Sequence, residues 1–549
     1  MDSFALADRI FPDIDRTIED YLKKYEERSL PEHAVVTRYA PSPTGFIHMG
    51  ALYASFIERI FAKQTGGVFY LRIEDTDRKR TVPNGIELII EDLKKFGVEF
   101  DEGPIDLTGE KGEYGPYIQT RRKEIYHTFV KHLIRQGKAY PCFCGQEELE
   151  LSRKKQKALK EKTGYWGKWA ACRRLGPGEA MKRIQNGEKY IIRLRSEGGP
   201  GKKSTYPDLV KGNLTITEND LDIVILKADG YPTYHFAHLV DDTLMRTTHV
   251  IRADEWVASL PIHLQLFSMF GLTPPKYAHI SPLLKNDNGS IRKLSKRKDP
   301  ELAISYYFEV GVPVEAVLLY LATIANSGFE NWYSRNPTAR IEEFTFSFSG
   351  IGKSGAIFDL NKLRDISKSY IGKLKAQEVY EKSLDYIRKY DSAFYTVYVK
   401  DRAYTEQVLN IDREKANPRK DIAAYSEIKA QIWYMYDELF NTPWSSAENI
   451  NDDIIKVYLD RFYDDRDTSE EWLKKIKALA PEFGYASEAR QYKKEPERYR
   501  GHMGDICEML RYLLTAQNRS LDLYSVMRLL KKDRIRERYQ SYVKWKSSN

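Results

Sequence analysis

The chain has 549 residues, 42% hydrophobic and 30% charged, with 87 Lys and Arg against 79 Asp and Glu for a formal net charge of +8. These proportions exclude a peptide, a collagen-like rod and a wholly disordered chain, and they accommodate about three or four domains with their own cores. The small basic excess permits a polyanionic partner such as nucleic acid without requiring one.

Taken in chain order, residues 1–33 carry Asp2, Asp8, Asp13 and Asp15 and no apolar run of secretory length, so a signal or transit peptide is not expected and the chain is expected to be cytoplasmic. Leu6, Ile10, Phe11, Ile14 and Ile18 predict a helix packed on the body. Ala34 to Ala40 reads as a strand, Pro41-Ser42-Pro43-Thr44-Gly45 breaks it, and Met49 to Lys63 follows at helical spacing. A second strand, Gly67 to Ile73, ends in Glu74-Asp75-Thr76-Asp77 and precedes a helix at Pro83 to Phe96. This βαβ pattern predicts a parallel sheet with helices on both faces, and a ligand crevice at the carboxyl ends of its strands.

From about Ile125 to Leu221 the pattern changes to a helix, a cysteine cluster, a Lys-rich stretch at Arg153 to Lys162 and strand-like Tyr190 to Leu194, which reads as an insertion. Parallel-sheet character is expected to return at Asp222 to Leu226 and His249 to Arg252, around the turn Ala228-Asp229-Gly230-Tyr231-Pro232 and a helix at Thr233 to Asp241. A turn at Asn286-Asp287-Asn288-Gly289 leads to the basic loop Arg292 to Lys298. Val312 to Ala325, interrupted by Pro313 and Glu315, falls short of the roughly 20 residues that span a bilayer and reads as a buried helix. From about Glu301 onward helical periodicity dominates, with helices expected at Ile422 to Phe440 and Met503 to Leu514 and a charged connector at Gln491 to Arg500.

Two segments carry chemistry. In Arg38-Tyr39-Ala40-Pro41-Ser42-Pro43-Thr44-Gly45-Phe46-Ile47-His48-Met49-Gly50-Ala51, prolines stiffen a strand-to-helix loop and glycines admit a close ligand. The helix N-terminus there offers N–H groups and a positive dipole to a nucleotide phosphate, with His48 placed to donate as well. A bare His-x-Gly would more often be a packed turn; its place after a strand, with a second basic loop downstream, favours function.

That fourteen-residue segment resembles the HIGH-motif region of class I aminoacyl-tRNA synthetases, in the Pro-Ser-Pro-Thr-Gly-x-x-His-x-Gly form of bacterial glutamyl-tRNA synthetases. Lys293-Leu294-Ser295-Lys296-Arg297 is similar to the KMSKS loop of that family. Leu71 to Arg78, Tyr114 to Arg121, Thr248 to Trp256, Ser354 to Leu363 and Asp522 to Met527 extend the resemblance along most of the chain. A nucleotide-hydrolase reading of Gly352-Lys353-Ser354 fails because Ser347 stands where the phosphate loop requires glycine.

The resemblance implies ligation of L-glutamate to tRNA with ATP and Mg²⁺. It implies catalytic roles for His48, Lys293 and Lys296, the ammonium groups following the departing pyrophosphate. It implies an ATP site at Thr44, His48, Gly50, Glu255, Lys293, Ser295 and Lys296. Charge supports the substrate: glutamate presents one ammonium and two carboxylates, and Arg38, Glu74 and Arg252 supply two guanidinium forks and one acid. By resemblance Arg38 faces the side-chain carboxylate, Glu74 the α-amino group and Arg252 the α-carboxylate, with Ala40, Ser42, Tyr234 and His238 around them. Each could equally belong to a structural ion pair, and Glu74-Asp75-Thr76-Asp77 could hold a metal directly.

Cys142, Cys144, Tyr165 and Cys172 resemble the zinc site in the acceptor-binding insertion of some family members. Thiolates favour tetrahedral Zn²⁺, but only three of the four ligands are cysteines. A zinc site and a metal-free cluster of buried thiols both remain open at this point, and Cys507 reads as core.

The fold class expected is therefore multidomain: an α/β Rossmann-like catalytic domain split by an insertion, then a mainly α-helical region. The boundaries expected are 1–33 (helical extension), 34–127 (first catalytic half), 128–221 (acceptor-binding insertion), 222–298 (second catalytic half with the basic loop), 299–385 (stem contact) and 386–549 (anticodon binding). The family expectation is a monomer that binds tRNA and no membrane. Rivals are a glutaminyl-tRNA synthetase, disfavoured by Ala40 to Gly45 and the helical C-terminus; the glutamyl-queuosine enzyme, which lacks an anticodon-binding region; and a non-catalytic tRNA-binding protein.

Overall fold

Runs of β-branched and aromatic residues bounded by Pro and Gly become short buried strands, and the amphipathic stretches between them become the helices that cover the strands. The structure, a computed structural model, describes all residues except 1, 46, 78, 80, 200, 296, 297, 442, 446–449 and 549. It divides into two compact units, Met1–Tyr306 with Leu318–Asp359, and Tyr307–Val317 with Leu360–Asn549.

The first unit begins with α1 (Ser3–Ile10) and α2 (Ile18–Lys24), two helices where one was expected, each with its own cap: Asp2 accepts from Ala5 N–H, and Thr17 and Asp20 form a capping box. Leu6, Phe11, Ile14 and Ile18 are buried. Strand β1 (Val36–Tyr39), helix α3 (Met49–Gln64), strand β2 (Val68–Leu71) and helix α4 (Gly85–Lys95) follow, with β1 and β2 parallel and Arg38 opposite Tyr70. A small ladder, β3 (Gly103–Pro104) and β4 (Glu110–Lys111), precedes α5 (Lys123–Arg135), on which α1 and α2 pack.

The inserted segment contains β5 (Ala139–Cys142), α6 (Gln146–Ala158), α7 (Pro177–Gln185), β6 (Ile191–Leu194), the hairpin β7 (Lys203–Asp208) and β8 (Gly212–Thr217), and β9 (Val224–Leu226). Here one expectation is corrected: β9 does not rejoin a parallel sheet but pairs antiparallel with β6, in the order β5-β6-β9. A three-residue apolar run carries no signal of strand direction, which its partner decides.

The parallel sheet resumes after α8 (Tyr234–Leu244), with β10 (His249–Ala253), α9 (Leu260–Met269) and β11 (Lys276–Ile280); β10 and β11 are parallel with Arg252 opposite His279. Thr248 N–H donates to Val36 O at 3.0 Å, and Thr248 Oγ1 accepts from Val36 N–H at 2.8 Å, so β1 and β10 lie side by side although some 200 residues of chain separate them. The carboxyl ends of these strands carry Tyr39, Leu71, Ala253 and Ile280 at one edge. The hairpin β12 (Leu284–Asp287) and β13 (Ser290–Lys293) turns through Asn288 and Gly289, both at positive φ (52° and 91°) as a tight primed turn requires.

Helices α10 (Ser305–Val310) and α11 (Val314–Ala325) follow, then α12 (Phe329–Arg335) in the first unit. The second unit is helical: α13 (Leu360–Lys373), α14 (Ala376–Tyr390), α15 (Ser392–Lys400), α16 (Arg402–Asn410), α17 (Ile428–Ile432), α18 (Asp452–Val457), α19 (Ser469–Glu482), α20 (Ala489–Lys494), α21 (Met503–Thr515) and α22 (Leu523–Ser548), the last broken at Lys531. The helix expected over Ile422 to Phe440 is instead α17 flanked by 3₁₀ turns at Tyr425–Glu427 and Trp433–Met435. Tyr434, Met435 and Tyr436 are buried in succession, which a helix with one apolar face cannot achieve. The expected connector at Gln491 to Arg500 contains most of α20 and a 3₁₀ turn. No helix among the described residues is long and apolar enough to cross a membrane.

Candidate functional site

At the carboxyl ends of β1, β2 and β10 lies a cavity of about 700 Å³ lined by Arg38, Ala40, Ser42, Thr44, Glu58, Glu74, Asp77, Lys227, Tyr234, Arg252 and Trp256, among others. Of the residues expected around the amino acid, Arg38, Ala40, Ser42, Glu74, Tyr234 and Arg252 are thus brought together, and Thr44 with them. His238 is not among the lining residues: it is fully buried, with Nδ1 2.6 Å from Asp242 Oδ2 and Nε2 2.8 Å from the Tyr277 hydroxyl.

The cavity floor is an ion network. Arg38 Nε donates to Asp242 Oδ1 at 3.2 Å, and Arg38 Nη1 lies 3.9 Å from Glu58 Oε1. Arg72 donates to the same Asp242 oxygen at 2.6 Å and to Glu74 Oε1 at 2.9 Å. Burial alone would raise the Asp242 pKa, but the charges of Arg38 and Arg72 outweigh it and hold the carboxyl well below its ordinary range. Burial dominates at Glu74 and Glu58, whose carboxyls are pushed up despite Arg72 and Arg38 beside Glu74 and Arg38 beside Glu58. The residue before Asp242, Asp241, accepts from Gln119, Arg122 and Tyr126.

These supporting residues were not singled out from the sequence. The signal was there: Asp241 and Asp242 stand together directly after the apolar pair Leu239-Val240 on α8, and a buried acid requires a cation. Lys227 was also missed; its Nζ donates to Thr76 O at 2.6 Å. Asp75 turns away to accept from the Thr120 N–H and hydroxyl, at 2.9 and 2.6 Å. Among the described residues the acidic stretch therefore gathers no metal-ligand set; the one group of three ligand atoms within 4.8 Å is Cys142, Cys144 and Cys172.

His48 caps α3: its Nδ1 accepts from Ala51 N–H at 3.1 Å, which places the proton of the neutral ring on Nε2. A Cβ on Gly50 would come within 3.2 Å of that Nδ1, so glycine makes room for the ring. His48 bridges Ala303 antiparallel, and Ile304 N–H reaches Ile47 O at 3.4 Å, so the chain leaving the basic loop returns to the His48 turn. The loop itself is anchored by buried Asp299, which accepts the Arg292 fork at 2.7 and 2.8 Å, Lys285 at 3.0 Å and Ser295 N–H at 2.8 Å. Lys293 lies on β13, its exposed ammonium 2.8 Å from exposed Glu255. Lys296 lies outside the described residues.

In the insertion, the Tyr165 hydroxyl is 3.4 Å from Cys142 Sγ and 3.3 Å from Cys144 Sγ and accepts from Cys172 N–H at 2.9 Å, while Cys144 and Cys172 Sγ are 3.5 Å apart. The Cys172 thiol, against the opposing effect of burial, brings the Cys142 thiol down, with Tyr165 adding to it. Three soft sulfur donors and one phenolic oxygen at these distances suit the tetrahedral preference of zinc. Cys507 packs against the helical core of the second unit.

Residues 34–365 match the sequence model of a family described as tRNA synthetases class I (E and Q), catalytic domain. The chain is 47% identical over 545 residues to the glutamate–tRNA ligase of Clostridium perfringens strain 13, covering 97% of this chain and 99% of that one. It is 46% identical over 551 residues to the glutamate–tRNA ligase of Clostridium beijerinckii, covering 98% and 99%. A crystal structure of a glutamate-tRNA synthetase from Elizabethkingia anophelis superposes with a TM-score of 0.75 at 24% identity, over 93% of this chain and all of that one, which speaks for the fold.

Proposed function

The chain belongs to the class I tRNA synthetases of the E and Q type, and from that premise we propose that its cavity activates L-glutamate with ATP for transfer to the tRNA that accepts glutamate. The enzyme is a glutamate–tRNA ligase. The observation that carries the residue assignment is the meeting of Arg38, Glu74 and Arg252 around one cavity at the strand ends: two cations and one acid complement two carboxylates and one ammonium.

In this reading Arg252 orients the α-carboxylate, Glu74 receives the ammonium and Arg38 faces the side-chain carboxylate. An α-carboxylate oxygen attacks the α-phosphorus of ATP, the bond to the bridging oxygen breaks, and pyrophosphate leaves. The terminal ribose hydroxyl of tRNA then attacks the acyl carbon, forming the ester and releasing AMP. No protein nucleophile takes part; positioning and charge lower the barrier. His48, with its Nε2–H, donates to a phosphate oxygen beside the first turn of α3. Lys293 exchanges Glu255 for the phosphates, and Lys296 follows the pyrophosphate, while Thr44, Gly50 and Ser295 border the nucleotide. Mg²⁺ supplies charge neutralisation on the ATP phosphates.

Residues 128–221 are assigned to the acceptor end of tRNA, 299–385 to its stem and 386–549 to its anticodon. Zn²⁺ held by Cys142, Cys144, Cys172 and Tyr165 would cross-link the insertion. A monomer acting in the cytoplasm, where thiols stay reduced, completes the proposal.

Charging of total tRNA with glutamate and with glutamine, resolved by tRNA species, tests it. Glutamate on its own tRNA is expected; glutamine as the preferred amino acid, or no ATP–pyrophosphate exchange with glutamate and tRNA present, would refute it.

A further inference from the structure

The two cavity arginines are held in chemically different ways. Arg38 rests on a carboxylate, Asp242. Arg252 rests on neutral rings: its Nε donates to His279 Nε2 at 3.0 Å and its Nη1 to His263 Nδ1 at 3.1 Å, with the Tyr234 hydroxyl at 3.3 Å. Among the described residues no carboxylate is in ion-pair contact with Arg252.

Guanidinium nitrogens donate and never accept, so both contacted imidazole nitrogens must be lone-pair acceptors. That fixes the tautomers. His279 carries its proton on Nδ1, which donates to buried Asp208 at 2.6 Å. His263 carries its proton on Nε2, 3.0 Å from His235 Nδ1, which accepts it. His263 and His279 are fully buried, and burial holds both below the ordinary histidine range, as it brings His235 to about 4. Acceptors without charge orient Arg252 and leave its positive charge uncompensated for an incoming anion.

We propose that His263 and His279 are positioning residues that aim Arg252 at the substrate carboxylate, with His235 and Asp208 setting their tautomers; this rests on the reading of Arg252 as the α-carboxylate ligand. A merely structural role would disturb the whole cavity. A positioning role loads onto glutamate and is restored by any neutral acceptor at the same point.

The test is ATP–pyrophosphate exchange with tRNA present, measuring KM for glutamate and for ATP separately. His263→Leu and His279→Leu are expected to raise the glutamate KM on the order of 10- to 100-fold, the scale of a small misplacement of a binding group, with the ATP KM unchanged. His263→Asn and His279→Gln, which put an amide oxygen where the acceptor nitrogen was, are expected to recover most of the loss. Parallel rises in both KM values, or amide variants no better than leucine, would overturn the proposal. Arg252→Lys separates the premises: if it leaves the glutamate KM unchanged, the assignment of Arg252 itself fails; if it raises that KM while the leucine variants do not, only the histidine role fails. Should the leucine variants not fold, imidazole ¹⁵N shifts of the intact chain decide. Neutral rings protonated on Nδ1 of His279 and Nε2 of His263 are expected near pH 7, and either opposite tautomer or a charged ring refutes the proposal.

Discussion

Replacing Asp242 with asparagine changes one charge and almost no volume, yet it strikes the centre of the network beneath the cavity. Asp242 Oδ1 lies 2.6 Å from Arg72 Nη1 and 3.2 Å from Arg38 Nε, with all three side chains at most 5% exposed. At an effective dielectric of about 20 these two contacts correspond to about 6 and about 5 kcal/mol of gross attraction. Most of that offsets the cost of taking the ions out of water, so the pair's net worth is far smaller. The variant, however, removes the acid shared by both buried guanidiniums, leaving Arg72 to Glu74 at 2.9 Å and Arg38 to Glu58 at 3.9 Å, and a loss of about 3–5 kcal/mol is expected. Because the native carboxyl titrates below its unfolded value, this stabilisation is fully present above the usual carboxylate range and disappears only as pH falls through the depressed native value. The assay is urea unfolding at neutral pH, read as the transition of the first unit, with glutamate KM measured on the folded fraction. A shift in Asp242→Asn of less than about 1 kcal/mol, the value of an exposed pair, would refute the description of this site as a mutually dependent buried network.

Lys296→Ala is expected to slow adenylate formation by roughly 10²–10³-fold, the loss typical of one transition-state charge contact, with tRNA affinity little changed; equal losses in both would count against its role. Elemental analysis of the purified chain is expected to find about one zinc per molecule, falling toward zero in Cys144→Ser; wild-type protein without zinc would assign the thiols to core packing. Lys131 Nζ donates to Phe11 O at 3.0 Å and Ile14 O at 2.8 Å, so Lys131→Met should strand two carbonyls and loosen the N-terminal helices by about 1–3 kcal/mol, seen as faster amide exchange around Ile14 and Ile18. His249 is brought to about 4 by burial and by Lys276. Its neutral form is the native one, so stability is retained above the unfolded value near 6.5 and lost as pH falls toward 4. Relative to His249→Gln, wild type should lose roughly 1–2 kcal/mol between pH 7 and pH 5, allowing for partial solvent screening; a pH-independent difference would exclude this linkage.

The sequence by itself determined the local pieces: the strand, Pro/Gly loop and helix around His48, the Asn288-Gly289 hairpin, and the helical character after residue 301. These follow from periodicity and turn chemistry, which act over a few residues. Arg38, Glu74 and Arg252 were legible as candidates only through the resemblance of their segments to a known family, since residue type by itself does not single out two cations and one acid among so many. Only the tertiary structure decided that β9 runs antiparallel to β6, that Trp433 to Met435 wind as a 3₁₀ turn instead of continuing a helix, and that His238 is not among the cavity's lining residues. The same is true of Asp242, Asp208 and the histidines that hold the two arginines. Their partners are brought in from strands and helices up to some 200 residues away, and the direction of a buried side chain is set by which counter-group reaches it, a quantity no local pattern contains.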